Sequence, residues 1–246
     1  MCKIDYISLI LFLDISIKQP GPQFEEINLL LSSNNASNLS SCVKGAWAVL
    51  QEALVQYSLD ELCISFNGGK DCTALLHIYH AAIMKKYPTF TGKLNALYVQ
   101  VDSPFVEAEE FLSACAKTYS LSVITIKASI KEALESLKLS HPCIRAILMG
   151  TRKHDPYSDQ LKLFSSTDPG WPEYMRINPI LNWGYSDVWS VLRGCKFPYL
   201  CLYDDGYTSI GSTHNTKPNP ALKHDDGSYK PAYMLEDATK ERDGRV

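Results

Sequence analysis

The chain has 246 residues, 46% of them hydrophobic, and a formal net charge of only −3. That length buries a substantial core as one large domain, or as one domain with appendages. Nearly balanced charge in short mixed clusters argues against a broad nucleic-acid surface and leaves room for a local basic pocket.

The first apolar run, Tyr6 to Ile17, is interrupted by Asp14. It falls short of the roughly 20 apolar residues of a membrane span, and it lacks the basic start and small-residue cleavage site of a signal peptide. We read it as a peripheral element or an extension, with no membrane partner. Ser32 to Ser41 (SSNNASNLSS) is polar and reads as a linker. Residues 1–41 are therefore set apart as an N-terminal extension and 42–246 as the domain.

From there the pattern is regular. Val43–Gln56 has helical spacing, with Trp47, Leu50, Leu54 and Val55 on or near one face. Leu62–Phe66 is a strand that stops at paired glycines, and Cys72–Lys86 is a helix. Leu94–Val101 is a strand, Val106–Tyr119 a helix, Leu121–Ile126 a strand, Ile130–Leu139 a helix and Ile144–Met149 a strand. Lys153 to Asn182, with four prolines, is irregular and reads as a binding loop. Ser186–Leu192 begins a further helix with Ser186 as its N-cap, and the tail from Thr213 is loop-like. Strands alternating with helices imply an α/β fold, a doubly wound and mostly parallel sheet. Such sheets bind ligands beyond the C-terminal ends of their strands, which points to the loops after Phe66, Val101 and Met149.

The eight cysteines form no C-x-x-C pair, so neither a zinc site nor a disulfide framework is indicated. Free thiols within apolar runs fit a reducing compartment, and a cytoplasmic location is expected. Cys195 and Cys201 read as buried thiols near the last helix, and the six histidines show no ligand spacing.

Ser65-Phe66-Asn67-Gly68-Gly69-Lys70-Asp71 joins a strand to a helix. Adjacent glycines let backbone N–H groups converge on an anion, and the helix N-terminus adds its dipole. Lys70 supplies a cation, and Asp71 stands where it could hold Mg²⁺ on a polyphosphate. The Walker A spacing is absent. Gly150-Thr151-Arg152-Lys153-His154-Asp155-Pro156-Tyr157 follows another strand. There Gly150 permits close backbone approach, Arg152 can take a phosphate bidentately, and Asp155 before proline is biased to extended backbone. In the third segment, Thr167 to Pro179, Trp171 and Tyr174 could contact a flat ring. Asp168 could accept a ring N–H, and Arg176 could serve a phosphate or carbonyl. By itself a tryptophan among prolines is more often a packing residue. Glu241-Arg242-Asp243-Gly244-Arg245, by itself, is a solvated charge run.

The glycine loop resembles that of the ATP pyrophosphatase superfamily, written S-x-G-G-x-D-S, in the form found in eukaryotic FAD synthases, a PAPS reductase-like group. Asn67 replaces the small residue before the glycines and Cys72 the usual serine, with Thr73 following. The other three segments resemble further FAD synthase signatures in the same order, so the resemblance spans about Val43 to Val246. It implies an adenine nucleotide alpha hydrolase-like fold with an irregular C-terminal flavin-binding region. It implies the reaction FMN + ATP → FAD + pyrophosphate, with Mg²⁺, and with flavoproteins as clients for the product. Ser65, Gly68, Gly69 and Lys70 would hold the pyrophosphate, with Gly150 and Arg152 nearby. Asn67 would contact the α-phosphate or the attacking oxygen. Asp71 and Asp155 would be metal or metal-water ligands, and Asp102 would recognise adenosine. Asp168, Trp171 and Arg176 would line the flavin pocket, and Arg242 and Arg245 would hold the FMN phosphate. PAPS reductases depend on a C-terminal cysteine motif, absent after Cys201 here. A tRNA-thiolating enzyme would show cysteine pairs and a basic face. Against a non-catalytic flavin or nucleotide sensor stand the intact Asn67, Lys70, Asp71 and Asp155.

Overall fold

The alternation read from the sequence is built largely as expected in the computed structural model, which describes residues 22–33 and 37–246. The run from Tyr6 to Ile17 lies outside the described residues. Among the described residues six strands form one sheet in the order β3-β2-β1-β4-β6-β5, its last two strands being β6 (Met175–Ile177) and β5 (Phe164–Ser166). Strands β1 (Leu62–Ser65), β2 (Leu94–Val99), β3 (Leu121–Ile126) and β4 (Ala146–Leu148) form the parallel centre. Alternate residues face opposite sides, as the strand period requires. Leu62 and Ile64 of β1 enter the larger core and Cys63 the smaller one.

The helices follow from burial. Helix α3 (Lys70–Lys86) is buried continuously from Cys72 to Tyr79, which marks a helix packed on several sides. Before it come α1 (Pro22–Ser32) and α2 (Asn38–Gln56), and after it α4 (Val106–Thr118). Their buried side chains, with those of α6 (Tyr185–Gly194), join the larger core on one face of the sheet. Helix α5 (Ile130–Ser140) covers the other face with Leu134 and Leu137. Its start carries a capping box between Ser129 and Glu132. The connection reverses direction between β1 and β4, so ligands are expected at the C-terminal ends of these strands.

Several expectations are corrected. Of the stretch read as a linker, Ser32 is the last residue of α1 and Asn38–Ser41 are the first turn of α2. Ser37 caps α2 by accepting the Ser40 N–H, and Lys44 Nζ donates to the Ser33 carbonyl at 2.6 Å. Local polar groups thus satisfy helix ends rather than solvate a tether. Ile27 of α1 is fully buried, whereas Val55 is 80% exposed and lies off the packed face of α2. The stretch from Lys153 to Asn182 contributes β6 (Met175–Ile177), parallel to β4, and β5 (Phe164–Ser166), antiparallel to β6. Three residues each are too few to show a period. Gly184, not Ser186, caps α6, its N–H donating to the Asp187 carboxylate at 2.8 Å. The tail contains 3₁₀ turns at Pro220–Leu222, Ala232–Met234 and Ala238–Lys240. Cys195 is buried, while Cys201 is only partly so.

Candidate active site

The Phe66 N–H still bonds the Leu97 carbonyl at 2.9 Å, so the chain leaves the sheet only at Asn67. Gly68 has φ +77°, a left-handed conformation that glycine adopts at no steric cost. Asn67 Oδ1 accepts the Gly69 N–H at 3.0 Å and faces the Cys72 thiol at 3.1 Å, which braces the turn. Burial pushes the Cys72 thiol up to about 12, so it packs rather than reacts. The Lys70 N–H donates to the buried Tyr203 hydroxyl at 2.8 Å. Two of the loop amides expected to converge on an anion are therefore already engaged, and they rigidify the turn.

Gly150 approaches closely, but against the protein itself. A Cβ there would lie 2.8 Å from the Cys72 nitrogen and 3.0 Å from its Cα. This contact presses the β4 loop onto the first turn of α3 and brings Arg152 beside Lys70. Both side chains are nearly buried, at 3% and 5% exposure, and five charges meet there. Lys70 Nζ lies 2.9 Å from Asp71 and 2.5 Å from Glu241. An Arg152 Nη bonds both Glu241 oxygens at 2.7 and 2.8 Å and Asp155 at 3.0 Å. Arg152 Nε is 3.1 Å from Asp71 Oδ1, an ion pair by distance without an aligned hydrogen bond. Burial disfavours the Arg152 charge, yet Asp71, Glu241 and Asp155 together outweigh it and hold the pKa above the ordinary value. Asp155 folds back to accept the Arg152 N–H at 2.7 Å.

On the flavin side of the sequence reading, Asp168-Pro169-Gly170-Trp171 makes a turn closed by Trp171 N–H to the Asp168 carbonyl at 3.1 Å. Gly170 has φ +83°, the value required at the third position of a type II turn after proline. Arg176 takes the Asp168 carboxylate through both terminal nitrogens, at 3.0 and 3.3 Å. Tyr174 is not in the pocket. It is 3% exposed, belongs to the smaller core, and donates to the Leu134 carbonyl.

One open cavity of about 1000 Å³ joins the two halves. Ser65 and Asn67 line it from the glycine loop, and Asp168, Trp171 and Arg176 from the far wall. Between them lie apolar strand-end residues such as Val99, Ile147 and Met149. Asp102 lines the rim, 84% exposed and paired with Lys127 at 3.1 Å. Arg242 and Arg245 do not line the cavity, but Ser212 and Asn215 beside them do. The Val246 N–H bonds the Asn215 carbonyl, and the Arg245 guanidinium lies against Gly211, where a Cβ would meet it at 2.2 Å. Neither arginine forms an ion pair among the described residues. Burial first, and then the charge of Arg242, lower the Arg245 pKa. Two cations held together without a carboxylate suit an anion.

Three residues of this arrangement were not singled out from the sequence. Tyr203 and Lys127 carry no local signal. Glu241 does, as the acid that opens the terminal charge run, but only folding shows it reaching Lys70, 171 residues away.

The phosphoadenosine phosphosulfate reductase domain model matches residues 61–143 and 130–218. The chain is 40% identical over 200 residues to a probable FAD synthase of Schizosaccharomyces pombe, covering 80% of this chain and 76% of that one. A probable FAD synthase of Caenorhabditis elegans is 39% identical over 219 residues, which are 87% of this chain and 42% of that longer one. Candida glabrata FMN adenylyltransferase, in complex with FMN and the ATP analogue AMPCPP, superposes with a TM-score of 0.84 at 26% identity, covering 92% of this chain and 95% of that one. The same enzyme with FAD and inorganic pyrophosphate also gives 0.84, at 25% identity and with 91% and 97% covered.

Proposed function

The chain belongs to the phosphoadenosine phosphosulfate reductase domain family and, within it, to the FAD synthases, and on that premise we propose that it transfers AMP from ATP to FMN, giving FAD and pyrophosphate. The observation that carries the assignment of residues is one cavity lined by Ser65 and Asn67 at the glycine loop and by Asp168, Trp171 and Arg176 opposite, with the Lys70–Arg152 charge cluster on the same loops but outside the lining. Such a cavity can hold both substrates with their phosphates facing each other.

A phosphate oxygen of FMN attacks the α-phosphorus of ATP. A P–O bond forms there, the bond to the oxygen bridging the α and β phosphates breaks, and pyrophosphate leaves. A phosphate monoester is largely dianionic at neutral pH, its second pKa being about 6, so no general base is required. The barrier is charge repulsion and alignment, and both are met by positioning and electrostatics. Lys70, on the turn fixed by Gly68 and Asn67, and Arg152, on the loop after β4, are the cations for the departing pyrophosphate. Asn67, with Oδ1 spent on the turn, offers its amide NH₂ to a phosphate oxygen. Arg242 and Arg245 hold the FMN phosphate. Trp171 covers the flavin ring while Asp168, oriented by Arg176, accepts a ring N–H. Asp102 at the rim serves the adenosine.

The donor set also fits Mg²⁺. Asp71 Oδ1 is a buried carboxylate oxygen with no aligned hydrogen bond, and Asp155 lies on the same guanidinium. Magnesium typically takes one or two carboxylates together with substrate phosphates. Asp71 and Asp155 would hold the ion, which, when bound, neutralises polyphosphate charge. No helix among the described residues is long and apolar enough to cross a membrane. None of the described cysteines is joined to another by a disulfide, which supports a reducing compartment such as the cytoplasm. FAD has no use in this reaction beyond being its product, so flavoproteins are its natural takers.

The test is to mix the pure chain with FMN, ATP and Mg²⁺ and resolve the products by chromatography. FAD and pyrophosphate should appear in equal amounts, and Asp71→Ala should cut turnover about a hundredfold or more, as expected when transition-state charge stabilisation is lost. ATP consumption without FAD would refute the reading.

A further inference from the structure

We propose that Glu241 occupies the place on Lys70 and Arg152 that a polyphosphate takes, so that ATP must displace its carboxylate to bind. This rests on the reading of Lys70 and Arg152 as the cations that receive the phosphates.

The geometry is that of an anion already bound. One Glu241 oxygen lies 2.5 Å from Lys70 Nζ, and both oxygens lie 2.7 and 2.8 Å from an Arg152 Nη. Carboxylate and phosphoryl oxygens are recognised by the same charge-assisted bonds at these distances. The charges also demand a change before a polyphosphate can enter. Asp71, Asp155 and Glu241 oppose only Lys70 and Arg152, which leaves one negative charge in excess. A phosphate chain would be repelled by the cluster in this state.

Of the three carboxylates, Glu241 is the one built to leave. Asp155 is tied to the Arg152 main chain by a 2.7 Å bond. Asp71 sits in the first turn of α3, where the helix dipole favours it. The main chain at Glu241 is anchored independently of its side chain. Its carbonyl accepts the Thr208 hydroxyl at 2.7 Å, and the Lys240 carbonyl accepts Asn219 Nδ2 at 2.7 Å. Thr208 and Asn219 are themselves buried. A rotamer change can therefore swing the carboxylate away while Arg242 and Arg245 stay in place. Run backwards, the same exchange helps expel pyrophosphate after transfer.

The probe is inorganic pyrophosphate, titrated calorimetrically into the full chain and into Glu241→Gln. The substitution preserves side-chain size and leaves two cations facing two carboxylates. Glu241→Gln should bind pyrophosphate about tenfold more tightly, the scale of one charge-assisted contact no longer competing. Pyrophosphate should displace ATP from both proteins. In the unaltered chain, the Glu241 carboxylate carbon resonance should shift as pyrophosphate saturates, which keeps the test open even if the variant folds poorly. Pyrophosphate that failed to displace ATP would remove the premise. Pyrophosphate that displaced ATP but bound the variant no tighter, or left the Glu241 resonance unmoved, would overturn the proposal and leave the premise standing.

Discussion

Gly150→Ala isolates the contact that sets the two halves of the phosphate site against each other. The new methyl would lie 2.8 Å from the Cys72 nitrogen, 3.0 Å from its Cα and 3.1 Å from the Asp71 carbonyl carbon. All three are backbone atoms of the first turn of α3, so no side chain can rotate aside. Restoring ordinary contact, about 3.5 Å or more, forces the β4 loop and α3 apart by roughly half an ångström or more, the kind of overpacking that costs about 1–3 kcal/mol. In a chain of this size that lowers Tm by about 2–12 °C. Arg152 lies two residues along the loop, and the shift moves it relative to Lys70. Misplacement of about 1 Å in such a site costs on the order of a hundredfold in rate, so kcat for FAD formation should fall about ten- to a hundredfold. Gly45→Ala serves as the comparison. Gly45 lies inside α2, and an added Cβ there meets nothing within 4 Å. That change should raise stability by about 0.8–1 kcal/mol through helix propensity and leave kcat unaltered. The assays are thermal unfolding and steady-state FAD formation. A Gly150→Ala enzyme with kcat within threefold of the parent would refute the claim that this contact positions Arg152.

Arg242→Ala removes an exposed cation without opening a core cavity, and it should raise KM for FMN about tenfold while KM for ATP stays within twofold. Equal losses for both substrates would contradict the placement of the FMN phosphate at the tail. A second expectation concerns acid stability. His77 is buried between the Tyr119 hydroxyl at 2.6 Å and the Pro198 carbonyl at 3.2 Å, and burial lowers its pKa to about 3. The unfolded chain, with an ordinary histidine near 6.5, therefore binds more protons than the folded one between these values. Stability contributed by the neutral ring is fully present above about pH 6.5 and falls away as the pH drops towards 3. His77→Gln should flatten that decline, read as urea midpoints at pH 7 and pH 5. An unchanged difference between the two midpoints would show that His77 does not carry the effect.

The sequence by itself determined the alternation of elements, because buried strands and helices each impose a period that local composition must obey. It also determined the glycine turn, since a left-handed residue at Gly68 and a Cβ-free approach at Gly150 are needs that one residue type meets. What it missed was short or distant. Strands β5 and β6 are three residues each and have no period to read. Ser37, which caps α2, reads as part of a linker because capping and solvation call for the same side chains. Tyr174 and Trp171 are both aromatics among prolines, and only packing sends one into the core and the other to the cavity. The charge cluster was the least legible part. Lys70, Arg152 and Glu241 come from three remote segments, and their partners are fixed by the sheet order that brings β1 beside β4 and by the partly buried bonds that return the tail to them. Charge pairing at a distance leaves no local trace in a chain. It is decided by which loops the tertiary structure brings within a few ångströms, where low solvent access makes each ion's partner matter.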